Sequence, residues 1–76
     1  MQRIINNILY DTETATLLYR ETPKNVSYYM TPVHGYFFAV YANGEFIPLT
    51  EEFMKDFLGQ YDINKYIEIF GEPQEG

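Results

Sequence analysis

The sequence predicts an α+β domain, in which an antiparallel β-meander of four to five strands is followed by two short C-terminal helices packed on one face. In the first 48 positions, short apolar runs alternate with turn residues, which is typical of strands and hairpins. From Thr50 onward, apolar residues recur with the period of a helix. The length of 76 residues fits one domain, with a sheet region at 1–48, a helical region at 50–71 and a frayed tail at 72–76.

The first predicted element is a tight hairpin. Residues 3–5 and 8–10 have strand composition and flank Asn6-Asn7, and asparagine tolerates the positive φ that a two-residue hairpin turn requires. Residues 11–14 are predicted to form a turn and residues 16–21 a strand. A helix over 12–20 is the alternative, because Ala15, Leu18 and Tyr19 have helical spacing. We favour the strand because the threonines in this stretch are weak helix formers.

The middle of the chain predicts three more strands, at residues 26–31, 36–42 and 45–48. The stretch 36–42 is apolar at every position, as expected of a strand that is covered on both faces, so we expect it in the centre of the sheet. Asn43-Gly44 is a strong hairpin signal. If all strands form one sheet with both helices on one face, the second face is left open.

Both predicted helices have recognisable ends. Thr50 is an N-cap candidate followed by two glutamates, whose charge suits a helix N-terminus, and Gly59 is expected to end the first helix. Its apolar stripe consists of Phe53, Met54, Phe57 and Leu58. Asp62 is expected to cap the second helix and Gly71 to end it, and its apolar positions are Ile63, Tyr66, Ile67 and Phe70.

The net charge of −6 is carried by residues 45–76, whereas residues 1–44 are balanced. An acidic surface repels nucleic acid, so the sequence predicts no direct nucleic-acid binding and favours a basic protein partner. The acidic residues predicted to bind it are Glu51, Glu52, Asp56, Asp62, Glu68 and Glu72.

Fourteen of the residues are tyrosine or phenylalanine, more than two short helices can cover. Some of them are therefore expected on the open sheet face, where tyrosine provides rigid and amphipathic contact area. The candidates for binding a partner, or for forming a homodimer, are Tyr28, Tyr29, Tyr36 and Tyr41.

No motif indicates an enzyme, a cofactor or a metal site. The chain has no cysteine, and metal binding by the single histidine, His34, would need Asp11 or Glu45 as further ligands, a set without recognisable spacing. Ser27, the only serine, is predicted in mid-strand without a nucleophile elbow. The longest apolar stretch is too short to span a membrane, and the N-terminus lacks the apolar core of a signal peptide. We therefore expect a non-enzymatic cytoplasmic protein.

Four segments together resemble small proteins of phages, plasmids and other mobile elements of Gram-positive bacteria. They are the stretches IINN at 4–7, YDTETA at 10–15, IPLTEE at 47–52 and FGE at 70–72. Asn7 stands where these proteins usually have glycine, and the link 32–35 replaces their Gly/Ser-rich insertion. Such domains are similar to parts of some anti-CRISPR proteins, so the resemblance implies an accessory protein that counters a defence system of the bacterial host cell.

The sequence-based hypothesis is thus an anti-CRISPR-like inhibitor. It would act as a nucleic-acid mimic, binding a basic, nucleic-acid-binding surface of a host CRISPR effector or another defence protein through its acidic C-terminal half. The alternative is a self-associating structural or adaptor domain that uses a Tyr-rich sheet face.

Overall fold

A computed structural model describes residues 1–76 and contains six strands followed by two helices. The strands are β1 (Gln2–Ile5), β2 (Ile8–Asp11), β3 (Thr16–Glu21), β4 (Val26–Met30), β5 (Phe37–Val40) and β6 (Phe46–Leu49). The helices are α1 (Glu51–Tyr61) and α2 (Ile63–Phe70). The α+β class is confirmed, and the segment that could have been helical contains a strand, β3.

The strands form two antiparallel sheets, so the prediction of one sheet is wrong. One sheet contains β1 and β2, and the other has the order β3-β4-β5-β6. The chain turns between the sheets, where the backbone N–H of Ala15 donates to the carbonyl of Asp11 (3.0 Å). This turn lets the β1–β2 hairpin pack on the face of the larger sheet instead of extending its edge.

The turns explain the register of the two predicted hairpins. Asn6 and Asn7 have φ values of 51° and 65°, as a two-residue turn with positive φ at both central positions requires, and Ile5 pairs with Ile8. Between β5 and β6, Gly44 has a φ of 88°, and the side chain of Asn43 accepts a hydrogen bond from the backbone N–H of Glu45 (3.0 Å). Both hairpins are confirmed.

The four-stranded sheet is covered on both faces, so the expected open face does not exist. The helix-side core contains Leu18, Val26, Tyr28, Phe37, Ala39, Met54 and Leu58. The hairpin-side core contains Tyr10, Phe38, Val40 and Phe46. All four residues of β5 are buried, and this strand lies between β4 and β6, which confirms its predicted central place. A strand that is apolar on both sides gains stability only when both sides leave water, which is what the hairpin provides.

The helix ends are as predicted except at Gly59. The Thr50 hydroxyl accepts from the backbone N–H of Phe53 (3.0 Å), and the Asp62 carboxylate accepts from the backbone N–H of Lys65 (3.1 Å). Gly71 follows α2 with a φ of 90°. Gly59 stays inside α1, which ends where the N–H of Asp62 donates to the carbonyl of Leu58 (2.8 Å). The cap at Asp62 therefore ends one helix and begins the next.

Candidate partner-binding surface

The predicted acidic residues do not all remain available to a partner. Glu51, Glu52 and Asp56 are exposed on α1, and Glu72 is exposed after α2. Asp62 caps α2, and a carboxylate oxygen of Glu68 lies 2.9 Å from the ammonium of Lys65. Two of the six side chains thus have partners within the chain, and the unpaired charge is concentrated on α1 and in the tail.

The four predicted tyrosines do not share a surface. Tyr28 is only 6% exposed and belongs to the helix-side core, whereas its neighbour Tyr29 packs against the hairpin-side core and stacks on Phe38 with ring centroids 5.1 Å apart. Successive residues of a strand point to opposite faces, which separates these two. Tyr36 and Tyr41 are exposed but lie at opposite ends of β5. The four tyrosines therefore lie at separate positions and do not form a single Tyr-rich face.

A partly exposed aromatic row runs along α1 instead. Phe53, Phe57 and Tyr61 follow each other at four-residue intervals, and their neighbouring ring centroids are 6.0 Å and 4.9 Å apart. Phe53 is 44% exposed and Tyr61 is 55% exposed, so this row is at the margin of the helix core. The apolar stripe predicted for this helix contains Phe53 and Phe57 beside Met54 and Leu58, but only Met54 and Leu58 are fully buried in α1.

The row continues onto the sheet and forms what we term the α1 aromatic cluster: Tyr19, Tyr28, Phe53, Phe57 and Tyr61. Phe57 is its centre, with ring centroids 4.4 Å from Tyr28 and 5.3 Å from Tyr19. Tyr19 also lies 6.3 Å from Tyr61. These distances are typical of attractive aromatic pairs. The exposed rings of Phe53 and Tyr61 are therefore held against the half-buried rings of Phe57 and Tyr19.

The buried end of the cluster is fixed by a hydrogen bond. The Tyr28 hydroxyl donates to Oε1 of Glu21 (3.0 Å), and Oε2 of Glu21 lies 3.9 Å from the ammonium of Lys24. Burial raises the pKa of Tyr28 well above its usual value, and the hydrogen bond and charge of Glu21 raise that pKa further. The phenols of Tyr41 and Tyr61 add to the same rise. Tyr28 thus remains a neutral donor that anchors the cluster.

Carboxylates border the cluster on its solvent side. With about 100° between successive residues of a helix, Asp56 projects about 60° from Phe53, and Glu52 lies next to Asp56 on the same exposed side of α1. On the sheet side, the border is Glu21. On the opposite flank of α1, the ammonium of Lys55 lies over the Phe70 ring (5.5 Å). We term the α1 aromatic cluster with Glu21, Glu52 and Asp56 the α1 surface.

The remaining candidate chemistry is sparse. No three histidine or acidic side chains come close enough to hold a metal ion. Neither helix combines the length and apolar character needed to cross a membrane. Comparison of the chain with protein-family models, with curated proteins and with solved structures finds no significant match.

Proposed function

We propose that this domain is a non-enzymatic binding protein that docks a basic segment of a partner protein on the α1 surface. The observation that carries the proposal is the pair of exposed rings, Phe53 and Tyr61, which both contact Phe57 and are bordered by carboxylates. Aromatic side chains dominate the energetics of many protein interfaces. Here they are presented at low entropic cost because Phe57 lies between them.

The chemistry of the border selects a basic partner. Arginine and lysine side chains can lie on an aromatic ring and form ion pairs with carboxylates such as those of Glu52 and Asp56. The net charge of −6 also raises the rate at which a positively charged partner arrives. The aromatic rings supply contact area in this proposal, and the carboxylates supply specificity.

The most specific form of the proposal is an inhibitor that blocks a basic, nucleic-acid-binding surface of a host defence protein, such as a CRISPR effector. The acidic α1 surface and the resemblance of four sequence segments to mobile-element proteins support it. A partner of this kind offers the arginine and lysine side chains that the α1 surface would bind. Duplex DNA should then compete with the domain for the partner, because both bind through the same cations.

The test is calorimetric titration of the domain with a synthetic peptide of alternating arginine and leucine. We expect Phe53→Ala combined with Tyr61→Ala to weaken the affinity about tenfold or more, as loss of interface anchors does. Glu52→Lys combined with Asp56→Lys should have a similar effect and reduce the salt dependence. The matched control is Glu72→Lys combined with Glu75→Lys, which makes the same change in charge in the exposed tail.

Two results would contradict the proposal. One is equal loss of affinity in the tail control, which would make binding a matter of net charge alone. The other is equally tight binding of a peptide that alternates glutamate and leucine. Light scattering at tens of micromolar should give a monomer throughout, because the four tyrosines predicted for homodimerisation lie apart.

A further inference from the structure

A cavity of about 540 Å³ lies between the β1–β2 hairpin and the β4–β5 connection. Its lining includes Ile8, Leu9 and Asp11 from β2, and Val33, His34 and Tyr36 from the connection. The volume is within the range of small-molecule sites. The cavity is on the hairpin side of the sheet, whereas the α1 surface is on the helix side, so the two are independent.

We propose that this cavity binds an organic cation, an alkylammonium or guanidinium group on an apolar stem. Asp11 is the only acidic residue among the ten that line the cavity, and no lysine or arginine lines it. An ionised carboxylate in an otherwise uncharged and partly apolar cavity favours a ligand of opposite charge.

The carboxylate of Asp11 is fixed and ionised. The residue is 9% exposed, its Oδ1 accepts from the backbone N–H of Glu13 (2.9 Å), and its Oδ2 accepts from the side-chain amide of Gln2 (3.1 Å). The bond from Gln2 and then the bond from Glu13 lower the pKa of Asp11 below its usual value. A carboxylate oxygen can accept two hydrogen bonds, and each oxygen of Asp11 accepts one within the chain. Each oxygen therefore has the capacity to accept one more from a ligand. The Met1 ammonium also lowers this pKa, but it donates to the Thr12 hydroxyl (3.1 Å) and is not part of the lining.

The opposite wall is aromatic and rigid. The rings of His34 and Tyr36 stack with centroids 5.3 Å apart. The backbone N–H of Tyr36 donates to the Thr31 hydroxyl (2.9 Å), and the N–H of Thr31 donates to the carbonyl of Tyr36 (2.7 Å). A tyrosine ring can attract a cation through its face. The wall is therefore held in place before any ligand enters.

The rim of the cavity is apolar. Leu9 and Val33 are 52% and 84% exposed, and both line the cavity. An aliphatic stem that covered these side chains would gain the stabilisation of removing apolar surface from water. The carboxylate, the aromatic wall and the apolar rim together match a cation on a chain of several carbons, as in a lysine side chain or a free alkylamine.

The probe is pentylammonium, titrated into isotopically labelled protein while the backbone amide signals of Leu9, Val33 and Gly35 are followed by NMR. We expect saturable shifts at these amides and none with 1-pentanol, which has the same stem without the charge. Asp11→Asn should weaken the affinity about tenfold, because a charge-assisted hydrogen bond is lost. Asparagine can still accept from Glu13 N–H and pair with Gln2. The control, Glu75→Gln, removes one charge in the exposed tail, outside the cavity lining, and should leave the affinity unchanged.

A second probe separates the two sources of the cation. It is a blocked Ala-Lys-Ala tripeptide, which presents the same ammonium on a peptide backbone. Tighter binding of the tripeptide than of pentylammonium assigns the cavity to a side chain of a partner protein, and tighter binding of pentylammonium assigns it to a free amine. Absence of saturable shifts with both probes, equal shifts with 1-pentanol, or full affinity in a folded Asp11→Asn variant would overturn the proposal.

Discussion

Tyr28 illustrates how a single hydroxyl links a core to a surface. Its ring belongs to the helix-side core and contacts Phe57, while its hydroxyl reaches the half-buried carboxylate of Glu21. The adjacent residue, Tyr29, has the same side chain but is partly buried and packs against the other core. The sequence cannot distinguish these two roles, because both residues are strand tyrosines and the difference depends on which elements cover each face. The turn residues Asn6 and Asn7 were predictable, because positive φ is a local property of the backbone.

The hydroxyl of Tyr28 predicts a loss of stability at alkaline pH. Its pKa is raised in the folded chain, first by burial and then by Glu21. The folded chain thus favours the neutral phenol. This contribution to stability is complete at pH values below the pKa of tyrosine in the unfolded chain, about 10, and is lost as the pH rises through the pKa of Tyr28 in the folded chain. Tyr28→Phe should therefore be about 1 kcal/mol less stable at pH 7, through the lost hydrogen bond, but should lose less stability than the wild type between pH 10 and 11.5. Urea unfolding across this pH range measures both effects, and parallel losses in the two proteins would disprove the assignment to Tyr28.

At the scale of the element, α1 departs most from its prediction. The N-cap at Thr50 and the acidic first turn were readable because capping depends on neighbouring residues. The end of the helix was not, because Gly59 could either terminate α1 or remain within it. The structure keeps it helical, and a Cβ added at Gly59 would lie 3.8 Å from Cδ2 of the Tyr66 ring. For a related reason the sequence does not predict the partly exposed row of Phe53, Phe57 and Tyr61, since the width of the buried stripe depends on how the helix lies on the sheet.

The helical conformation of Gly59 predicts a stabilising substitution. Gly59→Ala should raise the free energy of unfolding by about 0.5–1 kcal/mol, because alanine loses less backbone entropy than glycine in a helix. The added methyl group would make an ordinary van der Waals contact with Tyr66. Gly71→Ala is the matched comparison and should be destabilising, because Gly71 has a φ of 90° that alanine adopts only with strain. Thermal unfolding of both variants tests the pair, and equal signs would contradict the assigned helix end.

At the scale of the whole molecule, the chain is a three-layer structure, with helices, a four-stranded sheet and a two-stranded hairpin. The α+β class and the order of elements follow from the change in apolar period at Thr50. The third layer could not be predicted, because a hairpin that adds to a sheet edge and one that packs on its face have the same local sequence signals. The apolar character of β5 on both sides was the available clue. It requires a cover on the side away from the helices, and the β1–β2 hairpin is the element that provides it.

The layered arrangement predicts that the hairpin opens before the rest of the domain. No strand of the larger sheet pairs with β1 or β2, so the hairpin is held by side chains. Tyr10 packs on Phe38 with ring centroids 5.1 Å apart, and Arg3 donates to the carbonyl of Gly44 (3.2 Å) and lies over the Phe46 ring (5.4 Å). Elements with few attachments open at lower free energy than the global unfolding reaction.

Native-state hydrogen exchange should therefore give lower opening free energies for amides of β1 and β2 than for amides of β4 and β5. Tyr10→Ala removes the main aromatic contact of the hairpin, which is absent from both the hairpin-open and the fully unfolded states. It should therefore lower the values of both sheets by a similar amount, about 3 kcal/mol. Met54→Ala, in the helix-side core, serves as the comparison. It should lower the values of β4 and β5, because global unfolding breaks this core, and leave those of β1 and β2 nearly unchanged, because opening of the hairpin leaves the core intact. A single opening free energy shared by both sheets in all three proteins would mean that the hairpin and the larger sheet unfold as one cooperative unit.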